Sequence, residues 1–104
     1  MTNAYGGNNM TETHKAQMPE GIAPYKRTQT FSKMTVPNGL TKDHATKEGV
    51  WGMINVIAGE LVYTVPGAGT KLTLAEGDTA VIEPTVLHNV ALNAEAQFFV
   101  EFWR

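Results

Sequence analysis

The sequence predicts an all-β domain, a sandwich or jelly-roll barrel of about eight short antiparallel strands. Two observations carry this expectation. From Tyr25 onward the chain is cut at short intervals by the segments "VPNG", "IAGE", "VPGAGT", "LAEGD" and "IEPTV", which supply Gly or Pro where a turn needs positive φ or a missing N–H. Between the cuts the residues alternate in character at period two, and no stretch shows the 3.6-residue period of an amphipathic helix.

Residues 1–24 are rich in Asn, Gly, Thr and Met, with few core formers. They read as an N-terminal tail with too little apolar surface to offset its ordering entropy, and His14 as an exposed side chain within it. The β domain then covers 25–104. Strands are expected near 26–32 and 39–44, the second ending at His44. The apolar run "VWGMINVI" predicts a strand over 50–57, and "ELVYTV" one over 60–65 with Leu61, Tyr63 and Val65 on its inward face. In 70–74, Leu72 and Leu74 share a face; 79–83 follows as a further strand. In 87–92, "LHNVAL", His88 shares the inward face of Val90 and Leu92. The last strand, 97–103, carries Phe99, Glu101 and Trp103 on one side and Phe98, Val100 and Phe102 on the other.

Composition narrows the function. With 104 residues, 42% of them apolar, the chain can close one core and no more. The net charge is −2 and the lysines and arginines are scattered, so neither nucleic acid nor an anionic lipid surface is an expected partner. No apolar run approaches the ~20 residues that span a bilayer, and the start "MTNAYGGNNMTETHKAQ" lacks both an apolar and a basic signal region; a soluble, cytoplasmic protein with no membrane association is expected. Without cysteine, any metal must sit on nitrogen and oxygen.

An imidazole on an inward strand face has two readings: a neutral core residue with both nitrogens hydrogen-bonded, or a ligand. His44 offers His88 a partner from a distant part of the chain, although neither belongs to a local motif of metal-ligand spacing.

The residues "DHATKEGVWGMINVIAG" and "EGDTAVIEPTVLHNV" resemble a degenerate pair of cupin motifs, and more narrowly the small cupins related to the N-terminal domain of tellurite-resistance protein B and to the YeaR proteins. The resemblance covers about Tyr25 to Arg104 and rests on His-x-Thr-Lys-Glu-Gly-x-Trp at 44–51, Gly59, Gly77-Asp78, Ile82-Glu83-Pro84-x-x-x-His88 and the closing "FFVEFWR". It implies a cupin-type double-stranded β-helix, a jelly-roll barrel with a metal pocket. Thr46 stands where the second cupin histidine is expected, Gly52 near the glutamate and Val86 near the usual glycine, so only His44 and His88 carry over as ligands.

A third ligand is sought in Glu101, because a carboxylate between apolar neighbours is costly unless paired, protonated or ligating. In the jelly-roll order the last strand lies beside the one holding Gly52, and Glu101 is expected to enter the pocket through the space above that glycine; pairing with Arg27 is the alternative. Glu83 and Glu48 are fallback ligands. Two histidines and a carboxylate suit a divalent metal, Zn, Fe(II), Mn or Ni. Trp51, Tyr63 and Trp103 are candidate pocket residues. The resulting expectation is a metal-binding cupin that takes a small polar molecule, with no nucleophile or acid–base pair that names a reaction. If catalytic, it would be an oxygenase, isomerase or hydrolase; the resemblance suggests a role in oxyanion or metal stress. A metal-free structural or ligand-binding domain is the alternative. If Gly52 and Glu101 face the pocket, Trp51, Met53, Ile57, Phe98, Val100 and Phe102 form an apolar outer patch, and a homodimer through that face is expected.

Overall fold

The alternating segments resolve into eight strands in the computed structural model, which describes residues 16–104. In chain order they are β1 Pro24–Arg27, β2 Phe31–Ser32, β3 Trp51–Ala58, β4 Glu60–Val65, β5 Thr70–Ala75, β6 Thr79–Ile82, β7 Asn89–Leu92 and β8 Gln97–Trp103. They form two antiparallel sheets. The larger runs β1-β8-β3-β6, with β2 also pairing β8; the smaller runs β5-β4-β7. The core closes between them: Ile54, Val56, Ile82, Phe98 and Val100 from the larger sheet pack with Leu61, Tyr63, Leu74 and Val90 from the smaller. No helix among the described residues is long and apolar enough to cross a membrane. The expected tail at 1–24 and His14 fall largely, and for 1–15 entirely, outside the described residues.

The predicted strands over 50–57, 60–65, 70–74, 79–83, 87–92 and 97–103 are present with ends displaced by a residue or two. The strand expected at 39–44 is not. Residues Asn38–Thr41 form a 3₁₀ turn, in which Leu40 N–H donates to Pro37 O and Thr41 Oγ1 to Asn38 O at 2.9 Å. These local bonds occupy groups that a strand would need, and only His44 makes a bridge, to His88. The strand expected at 26–32 is interrupted. Thr28 Oγ1 accepts the Val100 N–H at 3.1 Å, so a side chain replaces a ladder carbonyl between β1 and β2.

The expected inward set of β4, Leu61, Tyr63 and Val65, is buried. The parity expected for β8 is reversed. The β3–β8 register sets Gly52 opposite Phe102, Met53 opposite Glu101 and Ile54 opposite Val100, and directly opposed residues share a face. Phe98, at 1% exposure, and Val100 are in the core, and Phe102 packs on it. The outer patch expected to hold a dimer therefore does not exist in that form. Burying Phe98, Val100 and Phe102 leaves Glu101 outside, whereas the opposite choice would bury a carboxylate. Nor does Gly52 leave an empty space: a Cβ there would meet Ile82 Cδ1 at 3.1 Å.

Two glycines of β3 and its end give contrasting expectations. Gly59 alone joins β3 to β4 at φ +65, and a Cβ would meet Ala96 N at 2.5 Å and Glu95 C at 2.5 Å, backbone atoms that cannot swing aside. Gly59→Ala is expected to cost about 3 kcal/mol or more, lowering the melting temperature by about 10 °C or more. Gly52→Ala has side-chain atoms of Ile82 as its three nearest neighbours and should cost about 1 kcal/mol. Thermal denaturation of the two variants side by side checks the order.

Candidate functional site

Two connecting segments meet at one end of the sandwich. His44 N–H donates to His88 O at 3.0 Å and His88 N–H to His44 O at 2.9 Å, and beside them Thr85 N–H donates to Thr46 O at 3.0 Å. The first segment is tightened by Thr46 Oγ1, which donates to Val50 O at 2.7 Å. The reciprocal bonds make His44 and His88 a hydrogen-bonded antiparallel pair, which sends both side chains to the same side. Their ring centroids are 4.2 Å apart and the rings are tilted by 60°.

Each ring is fixed in the same way. His44 Nδ1 lies 2.9 Å from Lys42 O, and His88 Nδ1 lies 2.9 Å from Val86 O. A carbonyl oxygen only accepts, so Nδ1 carries the proton in both. The neutral rings therefore keep their lone pairs at Nε2. His88 is 2% exposed, and its pKa is lowered from the ordinary value of 6.5, first by desolvation and further by the neighbouring His44; the Val86 carbonyl and Asp43 oppose this. Tyr63 packs against His88 at 5.7 Å between centroids. Burial, reinforced by Glu83, pushes the Tyr63 phenol up to about 12, so it remains a neutral hydroxyl.

Both imidazoles line a pocket of about 390 Å3, with walls from Leu40, Val50, Ile82, Val100 and Phe102 and with Lys26 and Lys47 as its charged members. This volume lies in the range of small-molecule sites, about 300–1,000 Å3.

The structure brings together His44 and His88, and Tyr63 behind His88, but disperses the other sequence candidates. Glu101 lies on the outer face of the larger sheet, opposite Met53 on one neighbour and Arg27 on the other; the Arg27 guanidinium stacks over Phe99 at 3.8 Å. Trp51 and Trp103 oppose each other on that same outer face, so neither lines the histidine pocket. Glu83 is exposed and borders a smaller cavity with Tyr63 and Thr70, and Glu48 is exposed in the turn after His44. Among the described residues no third His, Asp or Glu joins the pair as a metal-binding cluster.

Sequence reasoning missed Lys26, Lys47 and Thr85. Lys26 is legible only once its cross-strand partner is known to be Phe102. Thr85 adopts φ +64, the left-handed region that a β-branched residue rarely takes. It stands three residues before His88, and nothing in its identity announces it.

An all-β two-sheet fold with an anchored imidazole pair in a ligand-sized pocket defines the class of this domain. More narrowly, the chain belongs to the TehB-like domain family, whose model matches residues 26–100. It is similar in structure to a protein from Escherichia coli strain K12, with a TM-score of 0.79 at 22% identity over 86% of this chain and 88% of that one. It is also similar to TehB from Haemophilus influenzae, with a TM-score of 0.71 and 25% identity. That match covers 83% of this chain and 32% of TehB, so the domain corresponds to about a third of that protein. No curated protein matches the sequence.

Two outcomes are expected. The folded His88 holds its proton less readily than the unfolded one, so the unfolded state binds more protons as pH falls below about 6.5. Metal-free protein should lose stability from that pH downward until the folded pKa is passed, and the loss should be smaller in His88→Gln; urea midpoints across the histidine range measure it. Thr85→Gly removes the left-handed strain, about 1–2 kcal/mol, against an entropic cost of about 1 kcal/mol. Its melting temperature should be no lower than that of the parent, the reverse of a glycine substitution at ordinary φ.

Proposed function

We propose that the domain binds a small molecule with the help of a divalent metal held by His44 and His88. One observation carries this reading: both Nδ1–H groups are committed to backbone carbonyls, which orients the rings and frees both Nε2 lone pairs. Anchoring by the second nitrogen is the usual support of a metal-ligating histidine. The donor set fits a metal in kind, being two imidazoles with Nε2 left free, and protonation is disfavoured at His88. In number it supplies two of the three or four protein ligands found in most zinc sites, leaving the remaining positions to water and guest. An imidazole set without carboxylate favours Zn or Ni, with Fe(II) next, over Mn, which prefers oxygen. When bound, such a metal supplies Lewis acidity to guest oxygen atoms; the chain contributes the fixed rings, the apolar wall and Tyr63 as a neutral backing group.

Family membership supports two finer readings: that the paired sheets are an open jelly roll of the cupin kind, and that the cellular role lies in oxyanion or metal stress. The competing reading, a metal-free structural pair, is favoured by the burial of His88.

Calorimetric titration of tag-free protein with Zn²⁺ or Ni²⁺ separates the two. At about 100 times the dissociation constant, metal should stabilise the fold by ~2.7 kcal/mol, raising the melting temperature by about 10 °C or more. His44→Gln and His88→Gln should each abolish this shift, and Glu101→Gln should leave it intact. A melting temperature that ignores saturating metal decides for the structural pair.

A further inference from the structure

Building on the metal reading above, we infer that the guest of the His44–His88 pocket is a small organic carboxylate with an apolar body, its anionic head held by Lys26 and Lys47. Three observations converge on this class. The first is charge. Lys26 and Lys47 line the pocket and no Asp or Glu does. A divalent cation beside two ammonium groups leaves an excess of positive charge that no side chain of the pocket balances, so the guest must bring the anion.

The second is placement. Lys26 lies directly across from Phe102 on the neighbouring strand, and this pairing puts it on the pocket side of β1 while Arg27 falls to the outer side. Lys47 comes from the turn that follows His44, where Thr46 is tied both to Val50 and to Thr85. The two lysines thus reach the pocket from separate segments. A lysine acts as a point charge without the fork geometry of arginine, which suits a single carboxylate on guests of varied shape.

The third is the wall. Leu40, Val50, Ile82, Val100 and Phe102 line about 390 Å3. An inorganic oxyanion would satisfy the lysines and leave that apolar surface wet; an aromatic or branched aliphatic carboxylate covers it and gains the corresponding burial. Because the carboxylate and the metal would share one pocket, each should tighten the other, and linkage makes the effect reciprocal.

The test uses the tag-free 104-residue chain with Zn²⁺, and as probes benzoate, its neutral analogue benzamide, and nitrate. Benzoate is expected to bind and, at saturation, to tighten Zn²⁺ binding by about tenfold, within the usual range of coupling between sites. Benzamide and nitrate should each have less than about a third of that effect. The double variant Lys26→Gln, Lys47→Gln should weaken benzoate binding by about tenfold or more without weakening the Zn²⁺ affinity measured in the absence of benzoate, because it removes like charge from beside the cation. Benzamide matching benzoate, or lysine variants that bind benzoate normally, overturns the carboxylate assignment. Nitrate matching benzoate overturns the organic body. Lysine-dependent benzoate binding in protein that takes up no Zn²⁺ overturns the metal reading and upholds the anion pocket.

Discussion

The pairing of β3 with β8 is the constraint on which the rest depends. It runs from Trp51 opposite Trp103 to Val56 opposite Phe98, at the centre of the larger sheet, with β6 outside one strand and β1 and β2 outside the other. A one-residue slip would exchange every inward side chain for its outward neighbour. In the observed register Ile54, Val56, Phe98 and Val100 fill the core, and Phe102 and Val100 become pocket wall. Glu101 keeps its carboxylate outside. The same register carries Lys26 to the pocket side, because β1 is aligned on β8.

Against this frame the histidine pair is a second, smaller clamp. Its backbone bonds are those of a single β-bridge, yet they join segments 44 residues apart, and closing a loop of that length carries an entropic cost that grows only slowly with length. The Thr85–Thr46 bond adds a second tie. Thr85 at φ +64 is a local conflict that the surrounding bonds over-determine. Strained residues of this kind concentrate where a side chain must be aimed, and here the aimed side chain is His88, whose Nδ1 is anchored on Val86 O within the same turn.

The electrostatics of the two ends differ. At the pocket, lysines meet the imidazole pair and an apolar wall, with protonation of His88 opposed by burial. On the outer face of the larger sheet, Arg27 covers Phe99, and Glu101 stands opposite Arg27. Trp103 Nε1 is buried there without a partner among the described residues. A polar set that looked like one site in sequence, His44, His88 and Glu101, is thus divided, the imidazoles lining the pocket with Ile82, Val100 and Phe102 and Glu101 lying on the opposite face of the larger sheet.

The sequence by itself determined the all-β class, most strand positions, the inward face of β4 and the pairing candidates His44 and His88. It could do so because period-two alternation and Gly or Pro turns are local properties of the chain. It also carried the family resemblance, in residues around those same histidines. Only the tertiary structure decided the register of β3 on β8, and with it the exclusion of Glu101, Trp51 and Trp103 from the pocket. In "QFFVEFWR" both faces are rich in apolar side chains, so alternation fits either parity, and the choice falls to whichever set the opposing sheet can bury. The 3₁₀ turn at Asn38–Thr41, the left-handed Thr85 and the approach of Lys26 and Lys47 were likewise settled by hydrogen bonds and contacts between segments far apart in the chain, which no local pattern encodes.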